Sequence, residues 1–298
     1  MLETRTLDHC LACGGRALAP LPLAYEFQAT RFPAARCRAC GMRFLAVQPA
    51  GASLASLYSA EYFETDFRCG RAGAHSFDAT AWAGEHRGLV DAFERLRPPG
   101  RLLEVGAAAG GLLRHAQDRG WTVHGVELSA AAVEQARALG VTVTHGTLET
   151  AALPDAALDL VYMGDVLEHV PDCRATLAEV ARVLAPGGHL YLRGPITTNS
   201  LARRLALAAY AALGRTIVLR EPPYHLWEFT PGPLARLARA CGLAVVRLEQ
   251  AKIPPGSAHG TKSAAQRVAM AAIDAVNVPL TRAFHVLGDR CVLVARKP

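Results

Sequence analysis

From Arg101 onward, short apolar runs alternate with stretches of helical periodicity. This alternation is typical of a parallel sheet whose strands are joined by crossover helices. The runs RLLEVG, TVHGVE, VTVTHG, LDLVYMG and HLYLRG predict five strands in this order, with helices between them. We therefore expect an α/β, doubly wound, Rossmann-like sheet, in which the helix after the second strand begins at an N-cap, Ser129, and ends at Gly140.

The ends of these strands indicate the kind of ligand. In such sheets, ligands bind beyond the carboxyl ends of the strands, next to the first one. Glu127 follows Gly106 by 21 residues, a spacing that suits a ribose, so nicotinamide dinucleotides and adenosyl cofactors both remain open. Glu104 discriminates between them, because a carboxylate just before the glycine turn repels a pyrophosphate but attracts an amino group and a sulfonium. The strand ends therefore favour S-adenosylmethionine.

Several motifs carry a family resemblance. LLEVGAAAGGLL, VHGVELS, LPDAALDLVYMGDVLEHVPD and VLAPGGHLYLRGP, in this order and spacing, resemble class I S-adenosylmethionine-dependent methyltransferases. The later stretch PPYHLWEFTPGPLARLARACGL (222–243) is similar to the subgroup that reads P-x-H-L-x-x-F-[ST] after the fifth strand. The resemblance covers roughly residues 55–250. It implies a seven-stranded sheet, in which LAVVRLEQ is the sixth strand and RCVLVARK returns antiparallel beside it.

The resemblance also implies which residues bind the cofactor. The first glycine turn lies against the methionine part, the acid that ends strand two binds the ribose, and residues after strands three and four frame the adenine. Two positions depart from the family: Ala108 replaces the usual glycine, and Thr147 replaces the acid that commonly receives the adenine amino group. The implied cofactor-binding residues are Glu104, Gly106, Ala107, Gly110, Glu127, Leu128, Thr147, Leu148, Gly164 and Asp165.

Four cysteines near the start of the chain predict a metal site. CLACGG (10–15) and CRACGM (37–42) are two C-x-x-C-G turns separated by 23 residues. Each turn lets two thiolates converge on one ion, and two turns complete a tetrahedron. We expect zinc at Cys10, Cys13, Cys37 and Cys40, and a structural role, because four thiolates leave no coordination position open.

The motifs divide the chain into two expected domains. Residues 1–55 form a zinc-ribbon module, and residues 56–298 form the class I methyltransferase domain with its leading helices. Two segments of that domain are additions to its sheet: an acceptor cap at 196–229, expected to fold over the mouth of the cofactor site, and a late insertion at 251–288. The late insertion is longer than such connections need, so we expect it to contribute to the acceptor pocket or to a homodimer contact.

The residues near the strand ends offer few groups for acid–base chemistry. Methyl transfer requires an acceptor held in line with the sulfonium, and a hydroxyl or acidic carbon also needs a base. His225, His169 and Tyr224 are the catalytic candidates. The alternatives are that His225 anchors the cap through a backbone hydrogen bond and that His169 only caps or packs. Tyr58, Tyr62 and Phe63 are expected to wall the acceptor pocket or to serve as hydrophobic anchors.

Composition restricts the partners and the location. The formal charge is +6, but the arginines are scattered and no run of five or more like charges occurs, so nucleic acid is not a favoured partner. The start, MLETRTLDHC, has no basic segment followed by an apolar one, and arginines interrupt the most apolar long segment, SLARRLALAAYAALGRTIVL. These features predict a cytoplasmic protein without a membrane span.

The leading interpretation is a methyltransferase acting on a small molecule, such as a sugar or a secondary metabolite. Deoxysugar C-methyltransferases are similar in their front zinc ribbon and P-x-H-L element, but they normally carry a further C-terminal domain, so we expect methylation at oxygen rather than carbon. One alternative is an RNA base methyltransferase, although residues 1–50 hold only six arginines with no cluster. Another is a non-catalytic zinc-ribbon binding module with a vestigial cofactor site.

Overall fold

The computed structural model describes residues 2–57, 82–252 and 264–298. The strands in these ranges are β1 (Thr4–Thr6), β2 (Leu18–Phe27), β3 (Thr30–Cys37), β4 (Arg43–Leu45), β5 (Val47–Pro49), β6 (Arg101–Val105), β7 (Thr122–Glu127), β8 (Val143–His145), β9 (Leu158–Gly164), β10 (Leu184–Pro195), β11 (Ile217–Leu219), β12 (Trp227–Glu228), β13 (Ala244–Ala251) and β14 (Arg290–Arg296). The helices are α1 (Gly51–Ser56), α2 (Ala83–Glu94), α3 (Gly111–Asp118), α4 (Ala130–Ala138), α5 (Cys173–Val183), α6 (Leu201–Ala212), α7 (Pro231–Ala240) and α8 (Ala264–Phe284).

The large sheet has seven strands in the order β13-β14-β10-β9-β6-β7-β8. Strands β6 to β10 pair in parallel, whereas β14 runs antiparallel to both β10 and β13. The α/β class, the seven strands and the antiparallel return of the last strand beside the sixth are therefore confirmed. Because β6 lies between β9 and β7, the strand order reverses at β6, and the carboxyl end of β6 is where ligands bind in such sheets.

The helix boundaries follow the local signals in the sequence. Ser129 caps α4 through its hydroxyl, which accepts from the amide of Ala132 at 3.4 Å, and Gly140 adopts φ +77° just after the helix. Helix α5 ends at Val183, just before APGG (185–188). Strand β10 already begins at Leu184, and its pairing with β9 shifts register between Leu184 and His189, which accommodates the two glycines as an irregularity inside the strand.

A second sheet joins the front of the chain to the segment 196–229. It has five strands in the order β11-β2-β3-β4-β12. Strands β2, β3 and β4 belong to the cysteine-containing front of the chain, whereas β11 and β12 come from the segment predicted to be the acceptor cap. Strand β11 pairs in parallel with β2, and β12 pairs antiparallel with β4. The front module and the cap thus share one sheet.

The cysteine module, residues 2–49, also shares a hydrophobic core with the large sheet. Buried Leu7, Met42 and Phe44 belong to the same continuous cluster as Leu103 and Val161 of the central strands. Burying a side chain of this size contributes about 1.5–3 kcal/mol. The module is therefore packed into the molecule rather than linked to it as a separate bead.

Three further predictions concern the leading helices, the late insertion and a membrane span. Helix α2 is one of the expected leading helices, but the aromatic residues Tyr58, Tyr62 and Phe63 lie outside the described residues. The late insertion contains α8, which contacts α6 and β13. Among the helices of the described ranges, none is long and apolar enough to cross a lipid bilayer.

Candidate active site

The turn after β6 requires residues without bulky side chains. Gly106 and Gly110 both have positive φ, +75° and +77°. A Cβ on Gly106 would lie 2.5 Å from Val166 Cγ2, and one on Gly110 would lie 2.7 Å from Val141 Cγ2. Ala108 also has a positive φ, +46°, a conformation that costs an L-residue about 1–2 kcal/mol. A glycine, which the family resemblance implies at this position, would adopt this conformation without that cost.

The carboxylate of Glu127 ties the end of β7 to this turn. It is buried, with 5% exposure, and its two oxygens accept from the amides of Ala108 at 2.9 Å and Ser129 at 2.8 Å. Burial raises the pKa of Glu127, while these amide bonds act in the opposite direction. The acid predicted to bind a ribose thus lies directly beside the glycine turn.

A cavity opens at the carboxyl end of β6. Four of the residues predicted to bind the cofactor line it: Glu104, Gly106, Ala107 and Gly164. Glu104 is 7% exposed and lies in β6, two residues before Gly106 at the start of the turn. The cavity therefore places a nearly buried carboxylate against backbone that carries little side-chain bulk.

Part of the cavity wall comes from α2 and the residue just before it, and sequence reasoning did not single out these residues. Trp82, Glu85, His86 and Leu89 line it. Their spacing of three and four residues is the pattern of one helix face, and it was the available signal. Glu85 accepts a hydrogen bond from Arg193 of β10, and this ion pair links the first turn of α2 to the sheet.

The other predicted cofactor residues do not line this cavity. Leu128 is exposed, Leu148 is buried, and the amide of Thr147 donates to the hydroxyl of Thr150 at 2.9 Å. Asp165, with φ +58°, forms an ion pair with Arg290 of β14. These residues follow β7, β8 and β9 at the same edge of the sheet.

The three catalytic candidates come together after β9. The Nδ1 of His169 lies 2.9 Å from the carbonyl oxygen of Tyr224. Because a carbonyl oxygen can only accept, Nδ1 is the donor of this hydrogen bond. In the neutral imidazole, the lone pair is therefore on Nε2. The rings of His169 and His225 lie 5.0 Å apart, edge to face. Burial, and then the neighbouring His225, lower the pKa of His169 to about 3, which keeps this imidazole neutral near pH 7.

Glu168 joins this cluster, although it was not singled out in the sequence. Its Oε1 lies 3.8 Å from Nε2 of His169. Burial and the charge of Asp165 raise the pKa of Glu168 well above its usual value. One ligand atom from each of Glu168, His169 and His225 lies within 4.8 Å of the others, so the described cluster also has the donor types of a divalent metal site.

The four cysteines of the module converge as predicted. Their sulfur atoms all lie within 4.8 Å of one another, with Cys10 and Cys40 at 3.7 Å and Cys13 and Cys37 at 3.6 Å. Tetrahedral zinc with bonds of about 2.3 Å would place its sulfur ligands about 3.8 Å apart. Gly14 and Gly41, which follow the turns, have φ +74° and +77°. The geometry suits a four-thiolate zinc site.

The fold is that of an α/β protein with a cavity at the carboxyl edge of its sheet, which is the position at which sheets of this type bind nucleotide-type cofactors. Residues 77–248 match the family described as Methyltransferase domain, a span of more than half of the chain. The chain belongs to this family. A solved structure described as a SAM dependent methyltransferase from Archaeoglobus fulgidus has the same fold, with a TM-score of 0.52 at 18% identity over 79% of this chain and 98% of that one.

Curated relatives give more specific names. A ubiquinone biosynthesis O-methyltransferase of Cupriavidus pinatubonensis is 28% identical over 50% of this chain and 61% of its own length. A protein of the same name from Xanthomonas axonopodis pv. citri is 35% identical over 50% of this chain and 65% of its length. The chain thus spans less than two thirds of the length of these relatives.

Proposed function

We propose that this chain is an S-adenosylmethionine-dependent methyltransferase that methylates an oxygen atom of a small-molecule acceptor. The observation that carries the proposal is the cavity at the carboxyl end of β6, in which the nearly buried carboxylate of Glu104 adjoins the bare turn at Gly106. Membership in the methyltransferase family supports the reaction type. The names of the curated relatives support oxygen as the methylated atom.

The residues around the cavity fit the proposed cofactor. A carboxylate at Glu104 would stabilise the positive amino group and sulfonium. Gly106 lets the turn adopt its positive φ beside Val166 without a clash. Glu127, with two oxygens at the end of β7, is the proposed partner of the ribose. When bound, the cofactor supplies a methyl group on a sulfonium, and the protein contributes mainly the in-line position of the acceptor.

His225 is the proposed base that accepts the proton of the acceptor hydroxyl. His169 and Tyr224 position it: the hydrogen bond from His169 to the Tyr224 carbonyl fixes the backbone one residue before His225. The pKa of His169 is lowered to about 3, so this neighbour is uncharged near pH 7. Zinc at the four cysteines is proposed to be structural, since all four ligand positions are taken by thiolates.

The cofactor assignment is tested by calorimetric titration of the zinc-loaded protein with S-adenosylhomocysteine, with NAD as the competing ligand. We expect micromolar binding of S-adenosylhomocysteine only, and loss of binding in Glu104→Gln and Glu127→Ala. Glu134→Ala, at an exposed position of α4, is the matched control and should bind normally. A folded protein that binds neither ligand would instead favour the non-catalytic binding module.

The acceptor class is tested by the release of S-adenosylhomocysteine with three sets of acceptors: phenols, sugars and ribosomal RNA fragments. Turnover with a phenol or sugar hydroxyl, reduced about 100-fold or more in His225→Ala at unchanged S-adenosylhomocysteine affinity, is the expected result. The control is His189→Ala, in the part of β10 that pairs with Leu160 and so lies away from the carboxyl edge of the sheet. Turnover with RNA alone would replace the small-molecule assignment with the RNA base methyltransferase.

A further inference from the structure

We propose that the cysteine module positions His225, so that metal binding at the four cysteines controls the acceptor side of the site while the cofactor side stays independent of it. The proposal rests on the proposed function, in which His225 is the base. The described residues that line the cavity after β6 include none of the module. The basis of the proposal is a short series of direct contacts from the cysteines to the residue that follows His225.

The first contacts lead from the cysteines to β4. The amide of Cys37 donates to the carbonyl oxygen of Met42 at 2.8 Å, and the amide of Gly41 donates to the carbonyl of Cys37 at 2.9 Å. The second cysteine turn is therefore hydrogen-bonded to Met42, the residue just before β4. A metal ion that holds Cys37 and Cys40 together fixes the starting point of the strand.

The next contacts lead from the module to the cap. The carbonyl oxygen of Leu226 accepts from the amide of Leu45 at 3.0 Å and from the side-chain Nε2 of Gln48 at 3.4 Å. Gln48 is fully buried, and its other polar atom accepts from Arg5 at 2.7 Å. The rings of Phe44 and Trp227 pack with their centres 5.6 Å apart. The residues just after His225 are therefore bonded to β4 and β5 on one side.

The opposite side of the same backbone is bonded to the loop after β9. The amides of Leu226 and Trp227 both donate to the carbonyl oxygen of Glu168, at 2.8 and 3.2 Å, and the indole Nε1 of Trp227 donates to the carbonyl of Val170 at 2.8 Å. His225 is thus held between the module and the loop that carries Glu168 and His169. Loss of order in the module removes one of these two supports.

The cofactor side has its own supports. Gly106, Glu127 and the α2 wall are fixed by contacts within the large sheet and by the Glu85–Arg193 ion pair. None of the hydrogen bonds described above for the cavity includes a residue of the module. Removing the metal should therefore separate the two halves of the site.

The test compares zinc-loaded with chelator-stripped protein by hydrogen–deuterium exchange and by S-adenosylhomocysteine calorimetry. We expect exchange in the segment 224–229 to accelerate several-fold to about tenfold on stripping, as for the loss of a buried hydrogen bond, with S-adenosylhomocysteine affinity unchanged. Unchanged exchange at 224–229 would overturn the proposal. A parallel loss of S-adenosylhomocysteine affinity would also overturn it, because the module would then stabilise the whole domain.

A second variant leaves the metal in place. Gln48→Met removes the side-chain bond to Leu226 without altering any cysteine, and it should accelerate exchange at 224–229 while zinc content stays the same. Gln250→Met is the matched control, since this glutamine bonds Asn199 and Gly288 at the far edge of the sheet. Equal effects of the two substitutions would contradict the proposal. If even zinc-loaded protein binds no S-adenosylhomocysteine, the proposed function fails, while the exchange data still decide whether the module positions His225.

Discussion

At the scale of single residues, the site combines conformational strain with buried ionisable groups. Ala108 adopts the left-handed conformation at the centre of the turn, between two glycines that adopt it without cost. The loop after β9 carries an uncharged His169 and a buried Glu168. Both features make quantitative predictions.

Replacing Ala108 by glycine should stabilise the protein. The left-handed alanine costs about 1–2 kcal/mol, and the greater freedom of glycine in the unfolded chain returns about 0.5–1 kcal/mol of that. We expect Ala108→Gly to raise the free energy of unfolding by up to about 1 kcal/mol in urea titrations. Ala109→Gly is the control, because Ala109 has no positive φ and should lose stability instead. A destabilised Ala108→Gly protein would show that the methyl group contributes packing that outweighs the strain.

Because of the titration of His169, the free energy of unfolding should decrease as the pH is lowered. Its pKa is lowered in the folded state, so between its ordinary value of about 6.5 and the folded value of about 3 the unfolded chain binds one more proton. Stability from this group is therefore present above about pH 6.5 and is lost, at up to about 1.4 kcal/mol per pH unit, as the pH falls towards 3. Urea titrations at pH 7 and pH 5 should show a smaller decrease for His169→Gln than for the parent chain. An identical decrease in both proteins would mean that this imidazole already accepts its proton in the folded state near pH 6.

At the scale of elements, α2 lines the cavity with its first turns. An ion pair in the first turn and apolar packing along its length hold this helix in place. Leu89, Val90 and Phe93 are buried against the large sheet, and Phe93 lies 5.4 Å from the ring of Tyr162. Glu85 is the charged contact between this helix and β10. The helix is therefore anchored by its core face, and the ion pair sets the position of its first turn beside the turn after β6.

Removing the charge of Glu85 should weaken cofactor binding without unfolding the helix. Glu85→Gln removes the ion pair that sets the position of the first turn of α2, so we expect a several-fold higher dissociation constant for S-adenosylhomocysteine. Because the core face of α2 is unchanged, the midpoint of unfolding should be similar. Glu94→Gln, at the last residue of the same helix, breaks an exposed pair with Arg119 and should change neither quantity much. Equal binding by both variants would exclude Glu85 from the positioning of the wall.

At the scale of the whole molecule, the predictable part of the structure is the part built from local patterns. The alternation after Arg101 predicted the large sheet because each strand and helix there is contiguous in sequence. The C-x-x-C-G turns predicted the cysteine cluster for the same reason. By contrast, the pairing of β12 with β4 has no local signature, because strands of two or three residues carry too little periodicity. Glu168 and the α2 wall were missed because their roles depend on contacts between distant elements.

Metal content should be measurable at this scale too. We expect one zinc per chain by elemental analysis, and Cys13→Ser should remove it and lower the free energy of unfolding, because metal binding contributes to folding where ligands converge. Cys241→Ser is the control, since Cys241 bonds the carbonyl of Arg174 and is not part of the cluster. A fully loaded Cys13→Ser protein would exclude a four-thiolate site.

The shared sheet also determines the order in which its strands can pair while the chain is being synthesised. Phe44 pairs with Trp227, 183 residues later in the chain, so β4 leaves the ribosome long before its outer partner exists. Until the ribosome has made the cap, β4 is the open edge of a growing sheet, and such edges attract other chains. Truncation before residue 227 should therefore yield an aggregation-prone fragment, and heterologous expression should improve when translation of the intervening segment is fast relative to encounters between nascent chains.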